Sequence, residues 1–361
     1  MRAFLYLLLL SALPLAVQAH KNSDSFLYFH DQSWRLDIAV EDLQRLDDID
    51  RSPRDGVVTV REVRDAEAAL GDIIDAGLSL TRGQLRCALD VKLIGFTQHS
   101  DGHYAAWQLE SPCSEEPEGL SLSYRLLFDI DPFHRVLYDL QYQGETLKLG
   151  VLGPSDPTLE FARGDVWSTA GTFFWQGMLH MLLGYDHLLF LLALLLPIAR
   201  GGEYRGTRRD VLKASAWVIT AFTVAHSVTL VAATLGWVVL PSGPVELLIA
   251  ISIVVSALLA IAGRDRGRQW LLAAGFGLIH GFGFASMLSE LLSGWRNTAL
   301  ALASFNIGVE VAQLLVMVLL LPLLLVANQR VWYRRYGYYG LLWLIAVAGL
   351  WWAAQRLKYS P

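Results

Sequence analysis

Charge is scarce in this sequence. Asp, Glu, Lys and Arg make up 17% of its 361 residues, against roughly a quarter in a soluble globular protein. With 54% hydrophobic residues and a mean hydropathy of +0.39, that charge cannot cover a water-facing surface. A disordered chain, a collagenous one and an ordinary cytosolic enzyme are all excluded. Cysteine is nearly missing: Cys87 and Cys113 stand alone, and no Cys-x-x-Cys pair occurs, which argues against a metal site built on thiolates. No glycine-rich phosphate loop is present either, so this chain does not itself use a nucleotide. What remains is a membrane protein with room for a soluble part.

The charge that is present is unevenly divided. From His20 to Asp165 there are 27 acidic and 14 basic residues, a net of −13; from Val166 onward there are 7 and 14, a net of +7; Arg2 completes the formal −5. The first part carries no basic face for nucleic acid, and its acidity would concentrate cations nearby.

Residues 1–19 read MRAFLYLLLLSALPLAVQA. Arg2, the apolar run and the Val17-Gln18-Ala19 ending form a signal-peptide pattern, too short for the ~20 residues of a span. Cleavage there would leave His20 as the N-terminus, offering its amine and ring as a chelating pair for copper or nickel; a frayed terminus is the plainer reading. Residues 20–165 then form an exported β-rich domain. Segments 36–40, 84–96, 103–110, 121–129 and 136–143 alternate or are β-rich between turn residues, as in a small sandwich. Thr59 and Glu62 make a capping box before Val63, Ala66 and Leu70 at helical spacing. An oxidising compartment favours a Cys87–Cys113 disulfide. DIDRSPRDGVVTVRE places Asp55, Val58 and Glu62 as a calcium loop would, but Arg51 and Pro53 stand where the first two ligands belong. An acidic turn entering a helix fits better. Asp131 and His134 in FDIDPFHR are a further candidate metal pair, or simply a strand-end turn with a surface histidine.

Six apolar stretches follow, at 173–199, 211–235, 245–262, 270–292, 298–327 and 338–354. The expected architecture is an α-helical polytopic bundle of about six spans over 166–361, behind the exported domain. With that domain outside, the inner loops carry Arg200, Arg205, Arg208, Arg209, Lys213, Arg264, Arg266, Arg268, Arg330, Arg334 and Arg335, as the positive-inside rule requires. The expected setting is a bacterial-type inner membrane, with the N-terminal domain periplasmic or extracellular and the C-terminus also outside.

The sharpest signal is polar. His180, Asp186 and His187 fall in the first stretch, His226 in the second, Glu246 near the start of the third, His280 in the fourth, and Asn306, Glu310 and Gln313 in the fifth. Ionisable groups inside a bilayer are costly and mark sites or pathways. At ~1.5 Å per residue, Asp186, His187, His226, His280 and Glu310 all reach the midplane. On one continuous helix, His180 and His187 would lie ~10 Å apart, as two stations. Gly277 and Gly281 have the spacing of tight helix packing. Imidazoles with carboxylates suit nickel, cobalt, copper or zinc rather than calcium or magnesium. The alternative is that each histidine hydrogen-bonds between helices and only holds the bundle together.

The strings HMLLGYDHLLFLLALLLP, FTVAHSVTL, VELLIAISI, GLIHGFGFA and FNIGVEVAQ resemble the HupE/UreJ family of nickel permease-like membrane proteins, and AHKNSDS and FDIDPFHR resemble its branch with an exported N-terminal domain. The resemblance implies nickel or cobalt uptake or handling, with Asp186 and the histidines as candidate ligands. Three readings follow. The first is a metal transporter, secondary or passive in energy. The second is an intramembrane zinc hydrolase acting on a lipid or acyl group, with Glu310 or Asp186 as base. The third is a module whose exported domain captures a metal or a protein above a membrane anchor. The expected partners are the lipid bilayer and a metal ion, with a homo-oligomer or a protein partner through the exported domain as a further expectation.

Overall fold

The computed structural model describes residues 23–30, 33–47, 58–99, 102–115, 118–143, 145–162, 166–200, 207–264, 267–292 and 298–359. The segment read as a signal peptide, His20 and most of the acidic turn lie outside these.

The N-terminal part is β-rich. β1 (Asp24–His30), β2 (Ser33–Ala39), β5 (Asp90–His99), β6 (Gly102–Glu110), β8 (Arg135–Tyr142) and β9 (Glu145–Leu152) form one sheet in the order β5-β6-β2-β1-β8-β9. β3 (Leu78–Arg82), β4 (Leu85–Arg86), β7 (Leu120–Tyr124) and β10 (Thr158–Glu160) form a second, ordered β10-β7-β3-β4. Leu27, Phe29, Leu36 and Trp107 of the first sheet share a core with Leu80, Leu122 and Leu159 of the second. Helices α1 (Val40–Leu46), α2 (Val60–Asp65) and α3 (Glu67–Gly77) close it with Leu43, Val63, Leu70 and Ile74. The capping box forms: Thr59 N donates to Glu62 Oε2 at 2.9 Å. Glu62, which a calcium loop would use, thus caps α2.

Strand boundaries differ from the sequence reading where both faces of a strand are covered. β1 reads DSFLYFH, without polar alternation. Its Leu27 and Phe29 face the second sheet, while Phe26 joins Ala39, Tyr104, Leu137 and Leu149 in a core shared with the C-terminal helices. β9 meets α4 (Val166–Leu183), and β8 meets α9 (Ala285–Leu292). Segment 84–96 divides into β4, an irregular stretch at 87–89 and β5, and 121–129 ends as a strand at Tyr124.

The C-terminal part is helical: α4, α5 (Tyr185–Arg200), α6 (Arg208–Thr234), α7 (Ser242–Ala262), α8 (Gln269–Gly283), α9, α10 (Thr298–Ala327) and α11 (Tyr338–Tyr359). Among the described residues four helical stretches are long and apolar enough to cross a membrane, Arg208–Thr234, Ser242–Ala262, Thr298–Ala327 and Tyr333–Leu357. The pair α4 and α5, bent by 68°, makes a fifth if counted as one span. Two of the six expected stretches are broken and so do not pass that test as single helices. The first stretch bends at Gly184. The fourth breaks at Phe284 into α8, 15 residues, and α9, 8 residues. At ~1.5 Å per residue, α8 falls short of the ~30 Å hydrocarbon core. Val224, Leu248, Leu315, Leu323 and Val347 face outward, as a lipid surface requires.

Glycines set the closest helix contacts. A Cβ at Gly177 of α4 would collide with the Phe305 carbonyl of α10, and one at Gly308 with the Phe174 carbonyl. Cβ atoms at Gly277 and Gly281 would collide with the Phe222 and His226 carbonyls of α6. Small residues permit such approach where lipid gives no hydrophobic drive.

Cys87 and Cys113 are bonded, closing a separation of 26 residues. Loops of that size contribute about 2–4 kcal/mol. The Cys87→Ala/Cys113→Ala chain should therefore melt several degrees lower in detergent, and wild type treated with reductant should fall to the same midpoint.

Candidate functional site

The bend at Gly184 brings together side chains that a straight helix would separate. His180 ends α4 and His187 opens α5, and their ring centroids lie 4.7 Å apart. This corrects the expected ~10 Å of a continuous helix: the two belong to one cluster, not two stations. His226 of α6 lies 6.5 Å from each, and His280 of α8 lies 5.1 Å from His187. Phe190, Phe222, Phe284 and Phe305 pack around the rings. His187, His226 and His280 are 5%, 0% and 1% exposed, so their rings are shielded from bulk solvent.

Gly184 is required by contact. A Cβ there would sit 2.7 Å from the His180 carbonyl oxygen and 2.8 Å from His187 Nδ1. Hydrogen bonds run through the bend, from Gly184 N to His180 O at 3.0 Å and from Leu188 N to Gly184 O at 3.1 Å.

The proton positions follow from donors and acceptors. Asp186 Oδ1 lies 2.9 Å from both His187 N and His187 Nδ1. A carboxylate accepts, so Nδ1 carries the proton and Nε2 the lone pair. His187 Nε2 is buried without a hydrogen-bond partner, as are His180 Nε2, both ring nitrogens of His226, His280 Nδ1 and Asn306 Oδ1. A buried polar atom left unpaired costs about 1–3 kcal/mol. Five such ring nitrogens in one cluster call for a ligand, and lone pairs of neutral imidazoles suit a transition-metal ion. Among the described residues, no three His, Cys, Asp or Glu side chains converge tightly enough to hold an ion as they stand.

The other intramembrane candidates are engaged elsewhere. Thr220 Oγ1 donates to Glu310 Oε1 at 2.9 Å, and Thr223 Oγ1 to Gln313 Oε1 at 2.8 Å, fastening α6 to α10 beside His226. Asn306 Nδ2 donates to Leu302 O at 2.8 Å. Glu246 pairs with Arg356 at 2.5 Å, tying the start of α7 to the end of α11. Sequence reasoning did not single out Ser252, whose Oγ lies 3.0 Å from His280 Nε2. A serine in an apolar helix gives no signal until its neighbour across the helix interface is known.

In the β-rich part, Asp131 pairs with Arg45 at 2.9 Å and accepts from Phe133 N at 2.8 Å. His134 is not a surface residue but is fully buried. Its Nδ1 lies 2.6 Å from Ser23 Oγ and its Nε2 3.1 Å from Tyr124 OH. Ser23 in turn donates to Asp42 at 2.7 Å. Both ring nitrogens are engaged, so this pair forms part of the fold rather than a metal site.

A bent apolar helix pair with histidines gathered from four helices beside an aspartate defines a polytopic membrane protein with an imidazole cluster buried among its helices. Residues 158–356 match the family model described as HupE / UreJ protein, and the chain belongs to the HupE/UreJ family. That family is associated with nickel- and cobalt-type metal transport or handling in general. No curated protein and no solved structure matches the chain significantly.

Two outcomes follow. Gly184→Ala should destabilise the purified chain by about 1–3 kcal/mol through overpacking, read as a fall in thermal midpoint. Gly275→Ala, whose Cβ meets nothing within 4 Å inside α8, should not lower the midpoint, since alanine is the better helix former. Burial holds His134 down to about 3, opposed by Asp131 and aided by Arg135 and Arg45. The unfolded chain takes up the proton near 6.5. The stability this group contributes is therefore complete above about pH 6.5 and lost progressively toward pH 3, by at most about 1.4 kcal/mol per unit. His134→Gln should be less stable at neutral pH and show a flatter decline on acidification, read by circular dichroism melts.

Proposed function

We propose that the chain carries a divalent transition-metal ion across the membrane through the histidine cluster, with nickel or cobalt favoured and copper or zinc as competitors. The observation that supports this most is the set of buried, unpartnered ring nitrogens on His180, His187, His226 and His280. In this reading the ion is cargo, and the rings close on it by small rotations. Asp186 holds His187 in the tautomer that presents Nε2, and its charge offsets that of the ion in low dielectric. Asn306 Oδ1 adds a neutral oxygen from α10. Glu310 and Gln313 hold the α6–α10 wall, and Glu246 holds α7 to α11. The acidic N-terminal domain, exported behind a cleaved signal peptide, gathers cations above the entrance, with His20 as a first contact. The C-terminus lies on the same side as that domain, which fits the Glu246–Arg356 pair joining opposite ends of α7 and α11.

The zinc-hydrolase alternative needs a carboxylate free to act as base beside the metal. Both candidates are already holding other groups, Asp186 the ring of His187 and Glu310 the hydroxyl of Thr220. Transport is therefore the reading the geometry favours.

The test is metal binding by detergent-purified chain, by elemental mass spectrometry and titration with nickel, cobalt, copper and zinc, followed by uptake into vesicles. Removing the group that orients a ligating histidine typically costs 10–100-fold in affinity, so Asp186→Asn should lose about that much. His226→Ala should lose more, and Glu246→Gln nothing. Binding unchanged in both Asp186→Asn and His226→Ala would return the histidines to a packing role. Tightly held zinc with hydrolysis and no uptake would favour the enzyme.

A further inference from the structure

We infer that Ser252 is a positioning residue for His280: it holds the imidazole as the Nε2–H tautomer and so makes Nδ1 the atom that His280 offers to a metal ion. This rests on the metal-site reading above and deepens it. Ser252 lies in the middle of α7, a helix that contributes none of the four histidines, and it is fully buried. Its hydroxyl has a single proton. Oγ lies 2.6 Å from the Ile249 carbonyl oxygen, which can only accept, so the proton points there. The same Oγ lies 3.0 Å from His280 Nε2. With its proton committed, the hydroxyl can only accept from the ring, and Nε2 must be the donor. A neutral imidazole has one N–H. The lone pair is therefore on Nδ1, which is buried without a hydrogen-bond partner.

The arrangement parallels that at His187. There Asp186 takes the Nδ1 proton and leaves Nε2 bare; here a hydroxyl backed by a backbone carbonyl takes the Nε2 proton and leaves Nδ1 bare. The two rings stand 5.1 Å apart and nearly perpendicular. Metal-bound imidazoles almost always give their second nitrogen to such a partner, which fixes tautomer and ring orientation. A ring free to exchange tautomers would spend part of its time turning an N–H toward the cation. The next hydroxyl on the helix, Ser256, donates to the Ser252 carbonyl at 2.8 Å and provides an internal control.

The test uses the full chain in detergent, 15N-labelled at histidine and free of metal, with the His280 signals assigned by their loss in His280→Asn. Wild type and Ser256→Ala should show His280 protonated at Nε2. Ser252→Ala should show a mixed-tautomer pattern, and Ser252→Thr, which keeps the hydroxyl, should restore the single one. Cobalt titration should show a loss of about 10–100-fold in Ser252→Ala, recovered in Ser252→Thr. His280 found protonated at Nδ1 in wild type overturns the inference. So does a Ser252→Ala chain with an unchanged tautomer, or one whose tautomer moves while cobalt affinity stays the same. If wild type binds no cobalt, the metal-site reading fails, and the tautomer pattern separately decides whether Ser252 orients the ring.

Discussion

Hydrocarbon offers no hydrogen bonds, so irregular backbone at membrane depth survives only where protein surrounds it. The bend at Gly184 meets that condition, and the site depends on it. Hydrogen bonds continue through the bend from His180 O to Leu188 N by way of Gly184, and Asp186 takes the exposed amide of His187. The 68° turn converts a seven-residue spacing into two touching rings. A straight helix of the same composition would place them two turns apart, facing different neighbours.

The rest of the helical part holds that bend in place. Glycines bring α4 against α10 and α8 against α6 at backbone distance, which puts His280 and His226 across from the bend. Threonines of α6 then bind the polar ends of Glu310 and Gln313. The polar residues of the helical part thus include groups that bond one another and hold helices, and buried atoms without a partner, among which the imidazole nitrogens are gathered in one place. Only the second kind is expensive in the absence of a ligand.

Depth and residue type read Asp186, His187, His226, His280 and Glu310 as one midplane set, because few ionisable groups occur among so many apolar ones. His180, read as a separate station, joins the other histidines, and Glu310 instead bonds Thr220. The spacing of His180 and His187 was misread, because a glycine inside an apolar run looks like a packing device until the helix bends at it. Glu246 had the right chemistry but an unseen partner, Arg356, more than a hundred positions away. Ser252 was invisible for the opposite reason, being small, neutral and common in helices. In the β-rich part, the alternation of β2 and β8 and the capping box at Thr59 were legible. β1 escaped because Phe26 and Leu27, adjacent in sequence, enter different cores, and a strand covered on both faces loses the alternation that marks one.

The contact between Gly177 and Phe305 bears on the order in which the protein is made. Chains are synthesised and fold from the N-terminus, yet α4 needs α10 as the wall beside His180. When the first histidines leave the ribosome, the helix that will enclose them is still more than a hundred codons from completion. Until α10 arrives, the bend has polar edges facing lipid or whatever accompanies a nascent membrane protein. Premature termination before Thr298 would leave a chain with every cluster histidine in place and no enclosed cluster, a product that quality control could recognise by those exposed edges.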